Sequence, residues 1–205
     1  MGNAILPDIQ RGLNVQTNTP GNITSIVQLG FIAGTLVFAI FSIADRFASA
    51  NVFFVSSFIA ALSNISIIWF AKGMAGLYFL RFVTGFFLAG IYPVGMKIAS
   101  DWYEKNLGKA LGLLVGALVF GTAFPHLLRS NLYTLPWRQV LIFTSAFAFT
   151  GGLLILLFVA EGPFRKPTTR FQLSVIFQIF RSADFRAAAF GYFGHMIIFI
   201  SCLEL

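Results

Sequence analysis

Charge is scarce along this chain, and the uncharged stretches between charges set its architecture. The first apolar stretch covers residues 23–44, between Arg11 and Asp45. Residues 47–71 follow, between Arg46 and Lys72. Residues 73–97 are interrupted by Arg81 alone before closing on Lys97. Two more stretches occupy residues 109–128 and 139–160, and a shorter one covers 187–203. A helix that crosses a bilayer needs about 20 mostly apolar residues. The pattern therefore predicts five membrane spans and a partial sixth. Backbone polar groups in lipid must be bonded internally, which leaves helices or a closed barrel. Barrel strands alternate apolar and polar positions. The run Leu153-Leu154-Ile155-Leu156-Leu157-Phe158 does not alternate, so the expected fold is all-α, a polytopic bundle of transmembrane helices. Met1–Ile9 is too short to cross and has no basic residues ahead of it, as a secretory signal would. It reads as the tail of a helix.

Composition agrees. Apolar residues make up 58% of the chain and charged ones 10%, against about 25% charged in a soluble domain. Mean hydropathy is +0.84. Disorder, a coiled coil and a secreted disulfide scaffold are excluded, and the single Cys202 has no partner for an internal disulfide. The net charge of +7 does not point to nucleic acid, because the basic residues sit between apolar runs, as in the loops of a membrane protein. Alternate loops divide them nine to four, with Arg81 left inside a span. The richer set is Arg46; Lys97, Lys105 and Lys109; then Arg165, Lys166, Arg170, Arg181 and Arg186. Excess Lys and Arg marks the cytoplasmic side. Residues 1–22, the turn at Lys72 and the loop at 129–138 are then expected outside.

The basic connection 161–186 opens with Glu161-Gly162-Pro163, a helix-ending sequence. Phe171, Val175, Ile176, Ile179 and Phe180 recur at roughly helical spacing. Either an interfacial helix or a solvated cytoplasmic linker gives that pattern.

Arg81 is the most informative residue. A charge inside a span is expensive and usually functional. It would line a polar cavity and meet a substrate or a carboxylate, unless it snorkels to the outer headgroups. Gly85 and Gly90 follow it. Asp45-Arg46 is either a latch between helices or an ordinary helix-end pair. Gly108, Gly112, Gly116 and Gly121 form a ladder suited to close helix approach, and Pro125 should kink that helix. His126 and His195 are candidate proton relays. Lys97 with Asp101, and Glu104 with Lys105, read as solvated loop charges. Trp137 reads as an interfacial anchor. Asn22 and Asn64 match a glycosylation pattern that means little here, Asn64 because it lies within a span. There is no His-Glu-x-x-His, no Gly-x-Ser-x-Gly and no phosphate loop. With seven acids and none in a span interior, neither an enzyme nor a metal or cofactor site is expected.

In order and spacing these features resemble the major facilitator superfamily of secondary transporters. Ser42-Ile-Ala-Asp45-Arg46 resembles the Asp-Arg core of the family's loop between its second and third helices. Arg81 with Gly85 and Gly90 resembles the Arg-x-x-x-Gly signature of the fourth helix. Gly112, Gly116, Gly121 and Pro125 fall on the fifth, which is often rich in glycine and proline. Asp101-Trp-Tyr-Glu-Lys-Asn-Leu-Gly-Lys-Ala-Leu-Gly112 looks like the connection leading into it, and a long basic loop follows the sixth. The loop glycines and trailing basic residues of the family's pattern are replaced by Phe41, Ala48, Ser49 and Ala50. The likeness is to bacterial nitrate and cyanate carriers.

The resemblance implies an N-terminal six-helix half over residues 1–160, with its first helix truncated, a linker at 161–186, and the start of the second half at 187–205. It implies a protein of a bacterial inner membrane that carries a small molecule or ion by alternating access. Its partners would be the lipid bilayer and either the missing second half or another copy of itself. Asp45 would latch the cytoplasmic side, and Arg81 would belong to the coupling network. The competing expectation is a truncated membrane protein that only associates with other helices and does not transport.

Overall fold

The computed structural model describes residues 21–70, 73–131, 137–165, 181–187 and 190–191, with side chains from residue 23 onward and none over 124–131. Every regular element over residues 21–158 is an α-helix: α1 Gly21–Ile40, α2 Ile43–Arg46, α3 Ser49–Phe70, α4 Met74–Leu88, α5 Tyr92–Trp102, α6 Leu107–Asn131 and α7 Trp137–Phe158. Four stretches are long and apolar enough to cross a membrane: Ile23–Ile40, Ser49–Phe70, Met74–Trp102 taken as one, and Trp137–Phe158. A shorter apolar segment, Leu107–Ala123, lies in α6. The chain is a transmembrane helix bundle, and its large apolar side chains face outward as lipid requires. Leu113 and Phe158 are each 78% exposed.

Two spans differ from the expected boundaries. The first ends at Ile40 rather than at 44, because Ser42 adopts a left-handed conformation with φ 49°. The chain turns there and restarts as the four-residue α2. The third runs on to Trp102 instead of ending at 97, and it is broken on the way. Ala89, Gly90 and Ile91 donate to carbonyls three residues back, at Phe86, Phe87 and Leu88. Pro93 explains the break: it has no N–H for the ladder, and its ring crowds the preceding turn. The kink expected at Pro125 has no counterpart in the element bounds, since α6 continues unbroken through that residue. The linker's 166–180, the partial span's 192–205 with His195, and residues 1–20 with Arg11 lie outside the described residues. So do the side chains of Asn22 and His126.

Packing follows small residues. Helices in lipid gain little from hydrophobic burial and associate where backbones can approach closely. The α4 helix lies between α1 and α3, α7 packs on α3, and α6 packs mainly on α5. The buried face of α3 is mostly small: Ser49, Val52, Ser56, Ser57, Ala60, Ala61, Ser63 and Ile67. Ser56 meets Gly90, and Ser57 meets Gly152 of α7. Between α1 and α4 the fit is reciprocal. A methyl group at Gly30 or Gly34 would overlap the carbonyl oxygen of Phe82 or Phe86, and one at Gly85 would overlap that of Val27. Gly30-x-x-x-Gly34 is thus a close-approach motif on α1. Beside Gly108, Gly112, Gly116 and Gly121 there is open space within 4 Å.

Candidate functional site

Arg81 sits on α4 seven residues after Met74, about 10 Å along the axis at 1.5 Å per residue. Asn64 on α3, and Thr144 and Ser145 on α7, lie at matching distances from their own helix ends. The antiparallel run of α3 and α4 brings the first two level, and the packing of α7 on α3 adds the others. A polar layer results, roughly a third of the way into a hydrocarbon core of about 30 Å. Arg81 is 5% exposed, so it does not snorkel to the surface. Its Nη1 donates to Asn64 Oδ1 at 3.2 Å. Asn64 Nδ2 donates in turn to Thr144 Oγ1 at 3.2 Å and to Ser145 Oγ at 3.0 Å. Arg81 Nε and Nη2 are buried without a hydrogen-bond partner among the described residues.

One helical turn nearer the same end lies an apolar layer: Ile23, Ile67, Leu77, Val140 and Leu141, with Tyr78 and Trp137 packed against it. Ile67, Leu77, Val140 and Leu141 lie three to five residues from the polar positions of their own helices, so on α3, α4 and α7 the two layers stack by helical register. The apolar layer covers the polar one from the end of the bundle where Trp137 lies. Arg138 beside it stacks over the ring of Trp137 at 5.4 Å.

A second cluster forms at the basic end. Asp45 Oδ1 pairs with Lys97 Nζ at 2.7 Å. The same ammonium donates to the carbonyl of Ala44 at 3.0 Å. Arg165 Nη2 donates to the carbonyls of Asp45 and Phe47, at 3.1 and 3.3 Å, while Nη1 pairs with Glu161. Two cations thus satisfy the carbonyls around the end of α2, groups that a helix terminus leaves open. Arg46 itself is exposed. The chain after α7 folds back on the end of α5. Phe164 N donates to the Asp101 carbonyl and Trp102 Nε1 to the Ala160 carbonyl, both at 3.0 Å. A side chain at Gly162 would overlap the Asp101 backbone.

These contacts correct the expectation that Lys97 and Asp101 are solvated loop charges, while Glu104 and Lys105 are exposed. Lys97 pairs with Asp45 rather than with its helical neighbour Asp101, and Asp101 is 8% exposed. Asn64, expected to mean little, is the pivot of the buried network. Its signal was present, since an amide inside a span must find partners, but the partners lie 17 and 80 residues away.

A cleft of about 490 Å³ opens between α3, α5, α6 and α7, with Phe53, Tyr92, Leu114, Leu118 and Phe158 in its walls. Those walls are apolar, and no set of polar groups converges on it to select a polar solute. Among the described residues, no three acids, histidines or cysteines gather in a way that could hold a metal ion. The family model described as Major Facilitator Superfamily matches residues 1–204. No curated protein matches the chain, and no solved structure does.

Proposed function

The chain belongs to the major facilitator superfamily, a family of membrane transporters, and from that premise we propose that it moves a small solute by alternating access, with Arg81 in the network that binds or couples. The observation that carries this reading is the buried Arg81–Asn64–Thr144/Ser145 layer, joining α4, α3 and α7. A charge held inside a bilayer at a cost of several kcal/mol marks a substrate or ion path more often than a structural contact. The apolar layer beyond it would serve as the outer seal. Asp45, held by Lys97, would take part in closing the opposite side. Excess Lys and Arg at that end would place it and the 161–186 linker in the cytoplasm.

Uptake into vesicles tests the proposal. The chain would be reconstituted alone and together with a matching second half, and offered a panel of small organic and inorganic anions. Uptake that disappears in Arg81→Ala, with the assembly intact, is expected. Uptake unchanged by that substitution would remove Arg81 from the mechanism. No uptake from well-folded protein in either arrangement would favour a chain that only associates with other helices.

A further inference from the structure

We propose that the cleft between α3, α5, α6 and α7 seats an acyl chain of an anionic phospholipid, with its head group over Lys105 and Lys109. The cleft begins where the spans end. Trp102 closes the stretch Met74–Trp102 and Phe158 closes Trp137–Phe158, and both residues line the mouth. At the far end are Ile91, at the head of α5, and Leu118 of α6. Ile91 precedes Trp102 by eleven residues, and Leu118 follows the start of α6 by the same number. Either path is about 16 Å long at 1.5 Å per residue. That depth is half of a hydrocarbon core of about 30 Å, the reach of a chain belonging to one leaflet.

The walls suit hydrocarbon. Among the lining residues the polar side-chain groups are the hydroxyls of Tyr92 and Tyr103 and the indole of Trp102. The indole N–H is already bonded to the Ala160 carbonyl. A polar solute would lose its water there and find few partners in return. The volume of about 490 Å³ falls within the range of about 300–1,000 Å³ that small-molecule sites occupy. Gly95 on the wall has no close backbone opposite it. A methyl group there would rest 3.6 Å from Leu114 and from Phe53, an ordinary contact. Unlike Gly30 or Gly85, this glycine is not required by helix approach, and what it leaves is room in the cleft.

The mouth selects the head group. Lys105 follows Tyr103 by two residues, Lys109 lies in the first turn of α6, and both are exposed. That turn holds no acid, so its unpaired N–H groups add to the positive field. Glu104 is exposed beside them and leaves the mouth net positive. Asp101 is 8% exposed and lines a separate, small cavity with Ser49, Glu161 and Arg165. Trp102 and Tyr103 are about half exposed, as aromatic residues at a membrane surface are. A basic mouth between spans is a recurrent seat for phosphate head groups. Nothing in this proposal requires the chain to transport.

Native mass spectrometry tests it, on the full chain released from nanodiscs of phosphatidylcholine mixed with phosphatidylglycerol. The expected result is retained phosphatidylglycerol, enriched over its share of the bilayer. Lys105→Gln and Lys109→Gln should each lower that enrichment up to about fivefold, the factor that corresponds to about 1 kcal/mol per basic residue near a membrane surface. Gly95→Leu should fill the cleft and reduce retention of both lipids, with circular dichroism showing that the helices persist. The two lysine variants alter exposed side chains alone, so they decide the matter if Gly95→Leu does not fold. The proposal is overturned if phosphatidylglycerol is not preferred, or if its preference survives both lysine substitutions. Unchanged retention in folded Gly95→Leu would place the lipid elsewhere and overturn it too. A lipid-free dimer that dissociates in Gly95→Leu would give the cleft to a second copy. Loss of the lipid on adding a matching second half would give the cleft to another helix, and either result sinks the lipid site.

Discussion

Asn64 spends both ends of its amide on neighbours in other helices, accepting from Arg81 and donating to Thr144 and Ser145. Asn64→Ala should therefore cost more than an average membrane hydrogen bond, about 1–3 kcal/mol, because it strands a buried guanidinium nitrogen. Asn64→Asp should be tolerated, since a carboxylate can accept from Arg81 and from both hydroxyls. Thermal unfolding of the two variants in detergent checks this, and a harmless Asn64→Ala would show that the layer carries no stability. Arg81 was legible in the sequence because no other charge interrupts a span. Asn64 was not, because an amide in a serine-rich apolar run names no partner. Lys97 misled for a related reason. Its helical neighbour Asp101 is visible along the chain, while Asp45, its partner in the structure, is brought close only by tertiary packing.

Glycines separate into two groups once helices are paired. Gly30, Gly34 and Gly85 sit where α1 and α4 nearly touch, and Gly112 and Gly116 face open space. Gly85→Ala should destabilise by about 1–3 kcal/mol through overpacking against backbone. Gly116→Ala should be neutral or slightly stabilising, within about 1 kcal/mol, through better helix propensity. The reverse ranking in a melting series would mean that α6 packs closely against something in the folded protein. The sequence shows glycines at helical spacing on both helices and cannot say which set meets a neighbour. Hydropathy placed the four long spans Ile23–Ile40, Ser49–Phe70, Met74–Trp102 and Trp137–Phe158 near their observed bounds, whereas of the fifth only the shorter Leu107–Ala123 qualifies among the described residues. The break at 89–91 was not legible, because Pro93 lies within an otherwise continuous apolar stretch. Pro93→Ala restores the missing donor and should straighten Met74–Trp102. Spin labels near its two ends should move apart, and an unchanged distance would assign the break to packing instead.

At the scale of the molecule, five segments remote in sequence depend on two polar clusters, one at each level of the bundle. Exchanging the charges of the basic-end pair tests its part in closure. Asp45→Lys alone should raise the labelling of cysteines introduced nearby from the basic side, and adding Lys97→Asp should restore protection. Equal labelling in both would separate the pair from the gate. The Arg81 layer has a further consequence, for how the protein is made. An arginine within a span costs up to about 2.5–3.5 kcal/mol on insertion scales, the value at a helix centre, enough to leave a marginal segment outside the membrane. The ribosome completes α3 before α4, so the acceptor that Arg81 needs can already be waiting when its own helix reaches the translocon. Thr144 and Ser145 emerge later and can only lock an arrangement already made. Glycosylation-site mapping of nascent chains should then find α4 crossing efficiently behind native α3 and less so behind Asn64→Leu. Equal insertion in both would mean that α4 enters unaided, with its charge met by water or headgroups until the bundle closes.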